Sequence, residues 1–190
     1  AMTDREKLSN AIGLVAWGYF FIYFNLNLGP IDILPNFVGY VFILNSLDKL
    51  AVEERSTILL KPLVYILIAW ELLKWLNGFV NLSPQGYIFS LINTVVIVVS
   101  LYYNFQLFTN LSAIAHKYEC IQQKSLLVLR TLYTVLITVV SLIGLLPSES
   151  DIVQWISLGL MAVTLVLVIT TSSVLFGLKK SILNKEEQRL

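Results

Sequence analysis

The chain has 190 residues, of which 57% are hydrophobic and only 13% are charged, and its mean hydropathy is +0.77. Soluble domains carry about 25% charged residues, so this composition excludes a disordered chain and a conventional soluble enzyme. A net charge of +1 argues against a nucleic-acid partner, and a single cysteine excludes a disulfide framework and a cysteine-based zinc site. The composition predicts an integral membrane protein whose first partner is the lipid bilayer.

A membrane-spanning helix needs about 20 mostly apolar residues. Six stretches of the chain meet this requirement or come close to it. In chain order the predicted spans are 12–28, 33–47, 62–80, 86–108, 126–146 and 152–178. Pro30 and Pro35 restrict the backbone at the entry to the second and shortest span, so we expect segment 29–36 at the membrane interface or as a re-entrant stretch. The predicted fold is all-α, a single-domain bundle of six transmembrane helices arranged as three hairpins.

The distribution of basic residues predicts the orientation of these spans. Twelve of the 13 Lys and Arg residues fall at the N-terminus, in the connections after the second and fourth spans and at the margins of these connections, or in the C-terminal tail. With six spans these segments all lie on one side, and Lys and Arg concentrate on the cytoplasmic side of a membrane. We therefore expect a multi-pass protein of a bacterial plasma membrane, with both termini in the cytoplasm.

An amphipathic stripe continues the fourth span beyond the predicted membrane region, over 107–121. Its apolar residues recur at alternating spacings of four and three, the periodicity of one helix face. They are Leu107, Leu111, Ile114, Tyr118 and Ile121. The stripe predicts a cytoplasmic helix that covers the floor of the bundle, lies on the inner leaflet or docks a cytoplasmic protein. Cys120 lies on the same side, where we expect a reduced thiol without an assigned role.

Only two charged residues lie well inside a predicted span, Glu71 and Lys74. Their i,i+3 spacing places them on one helix face, and charges at the centre of a bilayer usually face a cavity or a partner. We predict an outward-opening polar pocket that these two residues form with Asn93, at the depth of Lys74 on the fourth span, and with Asn25 as a further candidate, somewhat shallower on the first span. Its aromatic walls would comprise Trp70, Trp75, Trp17, Tyr19 and Tyr23.

A carboxylate among aromatic rings suits a cationic or zwitterionic ligand. The predicted function is therefore binding or transport of a small molecule from the outer side. Glu71 would be the charge or proton site, Lys74 its modulator or anion contact, and Asn93 an orienting group. The alternative is a non-catalytic interaction protein, such as an immunity, assembly or accessory subunit with a membrane or cytoplasmic protein partner. In that case Glu71 and Lys74 form a structural ion pair.

Catalytic signatures are absent from the sequence. It contains no HExxH, no GxSxG and no glycine-rich phosphate loop, and His116 is its only histidine. We therefore expect no enzymatic activity, no catalytic or metal-binding residues and no cofactor.

Segment 29–40, which reads GPIDILPNFVGY, resembles a feature of small six-span membrane proteins of Gram-positive bacteria, a family without an assigned activity. The span count, the cytoplasmic termini and an acidic, Ile-Pro-containing first outer connection are also similar to the substrate-binding S components of energy-coupling-factor vitamin transporters. The second resemblance implies a ligand pocket near the outer face and a coupling surface on the first span. This chain departs from that family's Ala-x-x-x-Ala motif, because Ala11 and Ala16 are five residues apart.

Overall fold

The computed structural model describes residues 3–23, 27–28, 31–32, 35–80, 87–144 and 151–187. Within them, the α-helices are α1 Asp4–Tyr23, α2 Asn36–Glu53, α3 Leu60–Val80, α4 Tyr87–Lys117, α5 Gln122–Ile143 and α6 Asp151–Glu187. Two short strands, β1 Asn27–Leu28 and β2 Ile31–Asp32, pair in antiparallel fashion between α1 and α2. A 3₁₀ turn, Arg55–Leu59, leads into α3. The predicted all-α class is confirmed.

Four helical stretches in the described part of the chain are long and apolar enough to cross a membrane. They are Arg55–Asn77, Phe89–Lys117, Gln122–Ile143 and Asp151–Lys185. Helices α1 and α2 are not among them. Four charged residues at 4–7 occupy the first turn of α1, and Asp48, Lys49 and Glu53 lie in the second half of α2, so their apolar stretches are shorter. The six-span arrangement in three hairpins is therefore not confirmed.

The first two helices also differ from the predicted spans in their bounds. Helix α1 ends at Tyr23 rather than at 28, and α2 begins at Asn36 rather than at 33. Pro35 sits directly before α2 in an extended conformation, with φ −64° and ψ 132°, and so marks the start of the helix. Of segment 29–36, predicted to be interfacial or re-entrant, residues 29–30 and 33–34 lie outside the described residues.

The helices form a closed ring in which each packs against the next and α6 returns to α1. Neighbours run antiparallel. Lys61, in the first turn of α3, pairs with Asp48 near the end of α2 at 2.6 Å, whereas Phe37 at the start of α2 packs on Trp75 near the end of α3. The most extensive contacts join α1 to α2 and α6, and α4 to α5. The packing is thus that of a ring and not of three separate hairpins.

One end of this ring carries several charged contacts between segments that are distant in sequence. Three of them are Lys117 Nζ with Glu53 Oε2 at 2.6 Å, the Arg5 guanidinium with the Tyr118 ring centre at 5.4 Å, and Lys185 Nζ with the Glu119 carbonyl oxygen at 3.1 Å. The N-terminal segment, the α2–α3 and α4–α5 connections and the end of α6 therefore lie at the same end of the bundle. We call it the basic end.

Helix α1 is largely enclosed, with half of its 20 residues buried. Trp17 packs on Phe176 of α6, and Gly13 faces Lys179. These two contacts give α1 and α6 an antiparallel register. In this register the N-terminal part of α6 extends about 30 Å beyond the end of α1, at 1.5 Å per residue. Only 11% of the apolar stretch of α6 is buried. The α1–α2 pair thus fills the interior near the basic end, and α6 extends past it with apolar side chains exposed.

The amphipathic stripe belongs to α4 itself. Leu107, Leu111 and Ile114 are buried in the bundle, and the helix ends at Lys117. Ile121, the last residue of the stripe, lies beyond that end and is 87% exposed. The first three residues therefore pack inside the protein and do not form a separate interfacial helix.

The turn after α4 is a Schellman motif, which satisfies the last carbonyl groups of a helix. The Cys120 N–H donates to the Ala115 carbonyl oxygen at 2.8 Å, and the Glu119 N–H donates to the His116 carbonyl oxygen at 2.9 Å. Glu119 has a φ of 51°, the left-handed conformation that glycine usually adopts here. The turn leaves Cys120 only 6% exposed. Burial raises the pKa of its thiol, and nearby Lys185 only partly offsets this.

The first prediction concerns this thiol. A raised pKa leaves less reactive thiolate at neutral pH, so native Cys120 should react with a maleimide at pH 7 at least about tenfold more slowly than an exposed cysteine. The rate should rise as the pH increases past the usual thiol range. The control is the Cys120→Ser/Ile121→Cys variant, which moves the thiol to the exposed neighbouring position. Equal labelling rates for the two proteins at pH 7 would show that Cys120 is accessible.

Helices α1 and α2 approach each other closely at two glycines. A Cβ atom at Gly39 would lie 2.5 Å from the Gly18 carbonyl oxygen and 2.9 Å from the Ile22 nitrogen, and one at Gly18 would lie 2.8 Å from the Gly39 carbonyl oxygen. These neighbours are backbone atoms, so they cannot rotate away as a side chain can. Small residues at such crossings allow helices to pack backbone to backbone in a membrane protein.

The second prediction tests this crossing. Gly39→Ala should lower the free energy of unfolding by about 1–3 kcal/mol, because the added methyl group forces the two helices apart. Gly159→Ala on α6 is the matched control, since a Cβ atom there would meet nothing within 4 Å. It should be neutral, or stabilising by up to about 1 kcal/mol through helix propensity. Denaturant unfolding in detergent measures both; equal stability of the two variants would contradict the close approach.

Candidate functional site

Glu71 on α3 is held by two polar partners. Its Oε1 atom pairs with Lys74 Nζ at 2.7 Å, and its Oε2 atom accepts a hydrogen bond from Asn36 Nδ2 at 3.2 Å. The Glu71 side chain is 16% exposed and that of Lys74 is 45% exposed. The carboxylate is therefore mostly enclosed between α2 and α3, while the lysine reaches outward from the same helix face.

Two buried amide oxygens accompany this ion pair. Asn36 Oδ1 and Asn77 Oδ1 have no hydrogen-bond partner within the described part of the chain. Asn77 extends the i,i+3 series of Glu71 and Lys74 along α3. A buried acceptor without a donor costs about 1–3 kcal/mol, and such groups are usually satisfied by water or a ligand. The Glu71 carboxylate and the amide oxygen of Asn36, whose Nδ2 binds that carboxylate, together form a site for N–H or O–H donors, and Asn77 offers a further acceptor on the same helix.

A group of aromatic side chains, all buried except the partly buried Tyr23, lies in the interior of the ring. We call it the tyrosine cluster; it consists of Tyr19, Tyr23, Tyr40, Tyr103 and Tyr133. Tyr40 lies one helical turn after Asn36, the residue whose amide binds Glu71. Tyr19 stacks on Tyr23, with ring centres 5.9 Å apart, and Tyr40 meets Tyr103 edge to face at 5.8 Å. The cluster therefore links the Glu71 site to the core of the bundle.

Hydrogen bonds within the cluster join helices across the ring. The Tyr19 hydroxyl of α1 donates to Asn104 Oδ1 of α4 at 2.6 Å, and the Tyr133 hydroxyl of α5 lies 3.1 Å from Thr171 Oγ1 of α6. The Tyr103 hydroxyl is buried and has no partner among the described residues. The interior thus combines satisfied polar contacts with one phenol that has capacity for a further hydrogen bond.

Two of the three tryptophans predicted as pocket walls occupy the boundaries between helices, whereas the third, Trp17, is 50% exposed and packs on Phe176 of α6. Trp70 is 8% exposed and packs on Phe89 of α4, with ring centres 5.0 Å apart. Trp75 packs edge to face on Phe37 of α2 at 5.7 Å. Both rings therefore help to fix α3, and with it Glu71, between α2 and α4.

The two predicted asparagines are not seen to join the ion pair. Asn93 is exposed on α4, and no hydrogen bond connects it to Glu71 or Lys74 in the described residues. Asn25 lies outside the described residues. The structure therefore brings together Glu71 and Lys74, and the binding roles of these residues and of the predicted aromatic walls stay predictions.

Several polar residues near Glu71 were missed in the sequence. Asn77 could have been predicted, because it follows Lys74 by three residues, just as Lys74 follows Glu71. Asn36 lies in the segment that was singled out for its prolines, but nothing local indicates that it reaches Glu71, which is 35 positions away. The pairing of Tyr19 with Asn104 joins residues 85 positions apart, a distance at which sequence periodicity carries no information.

The donor set does not resemble a metal centre. In the described ranges, no group of three or more His, Cys, Asp or Glu residues lies close enough to hold a metal ion. The Glu71 carboxylate contacts the Asn36 amide and the Lys74 ammonium group. A carboxylate and an amide are suited to hydrogen bonding and to the binding of organic cations.

Comparisons with protein-family models, with curated proteins and with solved structures found no match to this chain. The two family resemblances of segment 29–40 and of the span pattern therefore stay predictions, and function has to be argued from the site itself.

The third prediction tests the link between α1 and α4. Tyr19→Phe keeps the ring but removes the hydroxyl, so Asn104 Oδ1 becomes a buried acceptor without its donor. The free energy of unfolding should fall by about 1–3 kcal/mol. The control is Tyr65→Phe on α3, since Tyr65 is 58% exposed. If both variants unfold at the same denaturant concentration, the Tyr19–Asn104 bond contributes no net stability.

Proposed function

We propose that the protein crosses the membrane six times, with both termini in the cytoplasm. Four of its helices are long and apolar enough to span by themselves, and the antiparallel α1–α2 pair would supply the first two crossings. The contacts at the basic end support this topology, because they gather basic residues of the N-terminal segment, of the end of α4 and of the end of α6. Lys and Arg concentrate in cytoplasmic segments.

We further propose that the protein binds, and transports, a small cationic or zwitterionic molecule at Glu71. The observation that carries this proposal is the enclosed carboxylate beside Asn36, whose buried amide oxygen lacks a donor among the described residues. A ligand with an ammonium or similar donor group would satisfy these acceptors, and the nearby tyrosine faces attract a cation. Lys74 would contact the anionic part of a zwitterion, and Asn25 and Asn93 stay candidate orienting groups.

The position of Glu71 favours entry from the side opposite the basic end. It lies close to the middle of α3, and two contacts set the register of this segment against α4. Ser56, in the 3₁₀ turn that leads into α3, bonds to Asn110, and Trp70 of α3 packs on Phe89. In that register Asn104, and with it the tyrosine cluster, lies nearer the basic end than Glu71. The cluster would therefore form the floor of the site, and transport would require it to open.

A second candidate function is that of a non-catalytic interaction protein. It is favoured by the 2.7 Å ion pair between Glu71 and Lys74, which compensates the carboxylate without any ligand. In that case the pair fixes α3 in the bundle, and the function depends on the surface of the protein and on a protein partner.

The fourth prediction separates the two candidates by thermal unfolding of the detergent-purified protein with choline, glycine betaine or arginine. A ligand that binds only the folded form at 100 times its Kd stabilises it by about 2.7 kcal/mol. Glu71→Gln should abolish this stabilisation because the charge is lost. Asp48→Asn should retain it, since Asp48 also pairs with a lysine but is 67% exposed and lies near the basic end.

The neutral compound 3,3-dimethyl-1-butanol has the shape of choline without its charge and should not stabilise the protein. If no cationic or zwitterionic compound stabilises the wild type, and Glu71→Gln unfolds at the wild-type temperature, the interaction protein is favoured. Uptake of a stabilising compound into proteoliposomes then distinguishes transport from binding alone.

A further inference from the structure

A cavity of about 280 Å³ opens at the basic end, far from Glu71 in the ring. Its lining combines segments that are distant in sequence: the first turn of α1, the end of α4 with its turn, and the end of α6. The residues are Arg5, Lys117, Tyr118, Glu119 and Lys185. Three of the five are basic and one is acidic, so the lining carries an excess of positive charge.

The carboxylates nearby do not neutralise this excess. Lys117 is compensated by Glu53 at 2.6 Å, whose side chain is only 12% exposed. Lys185 has a longer contact of 3.7 Å with Glu119, whose side chain is 89% exposed. Such solvated pairs contribute little. Arg5 Nη1 is buried and has no hydrogen-bond partner within the described residues. The cavity therefore presents one unsatisfied guanidinium donor and one weakly compensated ammonium group.

The two basic groups are held in place before any ligand binds. The Arg5 guanidinium lies over the Tyr118 ring at 5.4 Å, and Lys185 Nζ donates to the Glu119 carbonyl oxygen at 3.1 Å. Tyr118 and Glu119 both belong to the Schellman turn, whose backbone hydrogen bonds fix its shape. A planar guanidinium group with fixed orientation suits the oxygen atoms of a phosphate, and an ammonium group adds a second charge-assisted contact.

We propose that this cavity binds a phosphate group, and that the phosphate belongs to an anionic phospholipid of the inner leaflet. The choice of leaflet rests on the proposed orientation of the chain. Basic pockets at the cytoplasmic ends of membrane helices are suited to anionic headgroups. Ile121, two residues from Glu119, is 87% exposed, and an exposed apolar side chain beside a basic site fits the boundary between headgroups and acyl chains. The same phosphate chemistry in a soluble molecule is the other possible source.

The fifth prediction uses the full-length protein in detergent. Native mass spectrometry with dioleoylphosphatidylglycerol should show binding that dioleoylphosphatidylcholine does not reproduce, and thermal unfolding should show a matching stabilisation. The double variant Arg5→Gln/Lys185→Gln should weaken binding of the anionic lipid about 25-fold, because each basic residue that is lost weakens it about fivefold. The matched control is Lys124→Gln/Lys180→Gln, which removes two exposed lysines that do not line the cavity. Its binding should stay within about twofold of the wild type.

Glycerol 3-phosphate and inorganic phosphate identify the source. Stabilisation by the lipid alone supports the phospholipid, whereas equal stabilisation by glycerol 3-phosphate keeps the phosphate site but assigns it to a soluble ligand. Equal weakening in both double variants, or no preference of the wild type for the anionic lipid, would overturn the proposal. If Arg5→Gln/Lys185→Gln does not fold, Lys185→Gln alone leaves the Arg5–Tyr118 contact in place and should still weaken binding about fivefold.

Discussion

A tyrosine hydroxyl and an asparagine amide can lie at the centre of this apolar bundle only because each satisfies the other. In an environment without water, polar groups must find their partners inside the protein. The 2.6 Å bond between Tyr19 and Asn104 meets this requirement across the ring. It ties the enclosed helix α1 to α4, and the neighbouring bond of Tyr133 to Thr171 ties α5 to α6. The positions of the other helices, and hence of Glu71, depend on this interior being closed.

The same constraint explains why the two ends of the bundle differ in chemistry. At the basic end, charged side chains reach water and pair between segments, as Lys117 does with Glu53. Farther from that end, the Glu71 carboxylate is mostly enclosed and is compensated by Lys74 and Asn36. Charges well inside a membrane span are costly enough to be retained chiefly where they have a role. This contrast is the physical basis for assigning a small-molecule site to one region and a phosphate site to the other.

Packing of α1 against α2 gives the ring its unequal lengths. The backbones meet at Gly18 and Gly39, so two helices occupy little space in the interior and carry the polar side chains of the tyrosine cluster inward. Helix α6 extends well past them, with only 11% of its apolar stretch buried. In a bilayer that exposed surface is compatible with lipid contact, since lipid chains are as apolar as the side chains they meet.

Composition and periodicity by themselves determined that this chain is helical, apolar enough for a membrane, and divided into six helices, because apolar length and charge are local properties of a sequence. The Glu71–Lys74 pair was also predictable, since both members lie on one turn of one helix. Only the tertiary structure decided that Asn36 reaches Glu71, that Tyr19 meets Asn104, and that Leu107, Leu111 and Ile114 pack inside the bundle. These contacts join separate helices, and their register depends on the close approach at Gly18 and Gly39 and on turns such as that at Glu119, which periodicity does not encode.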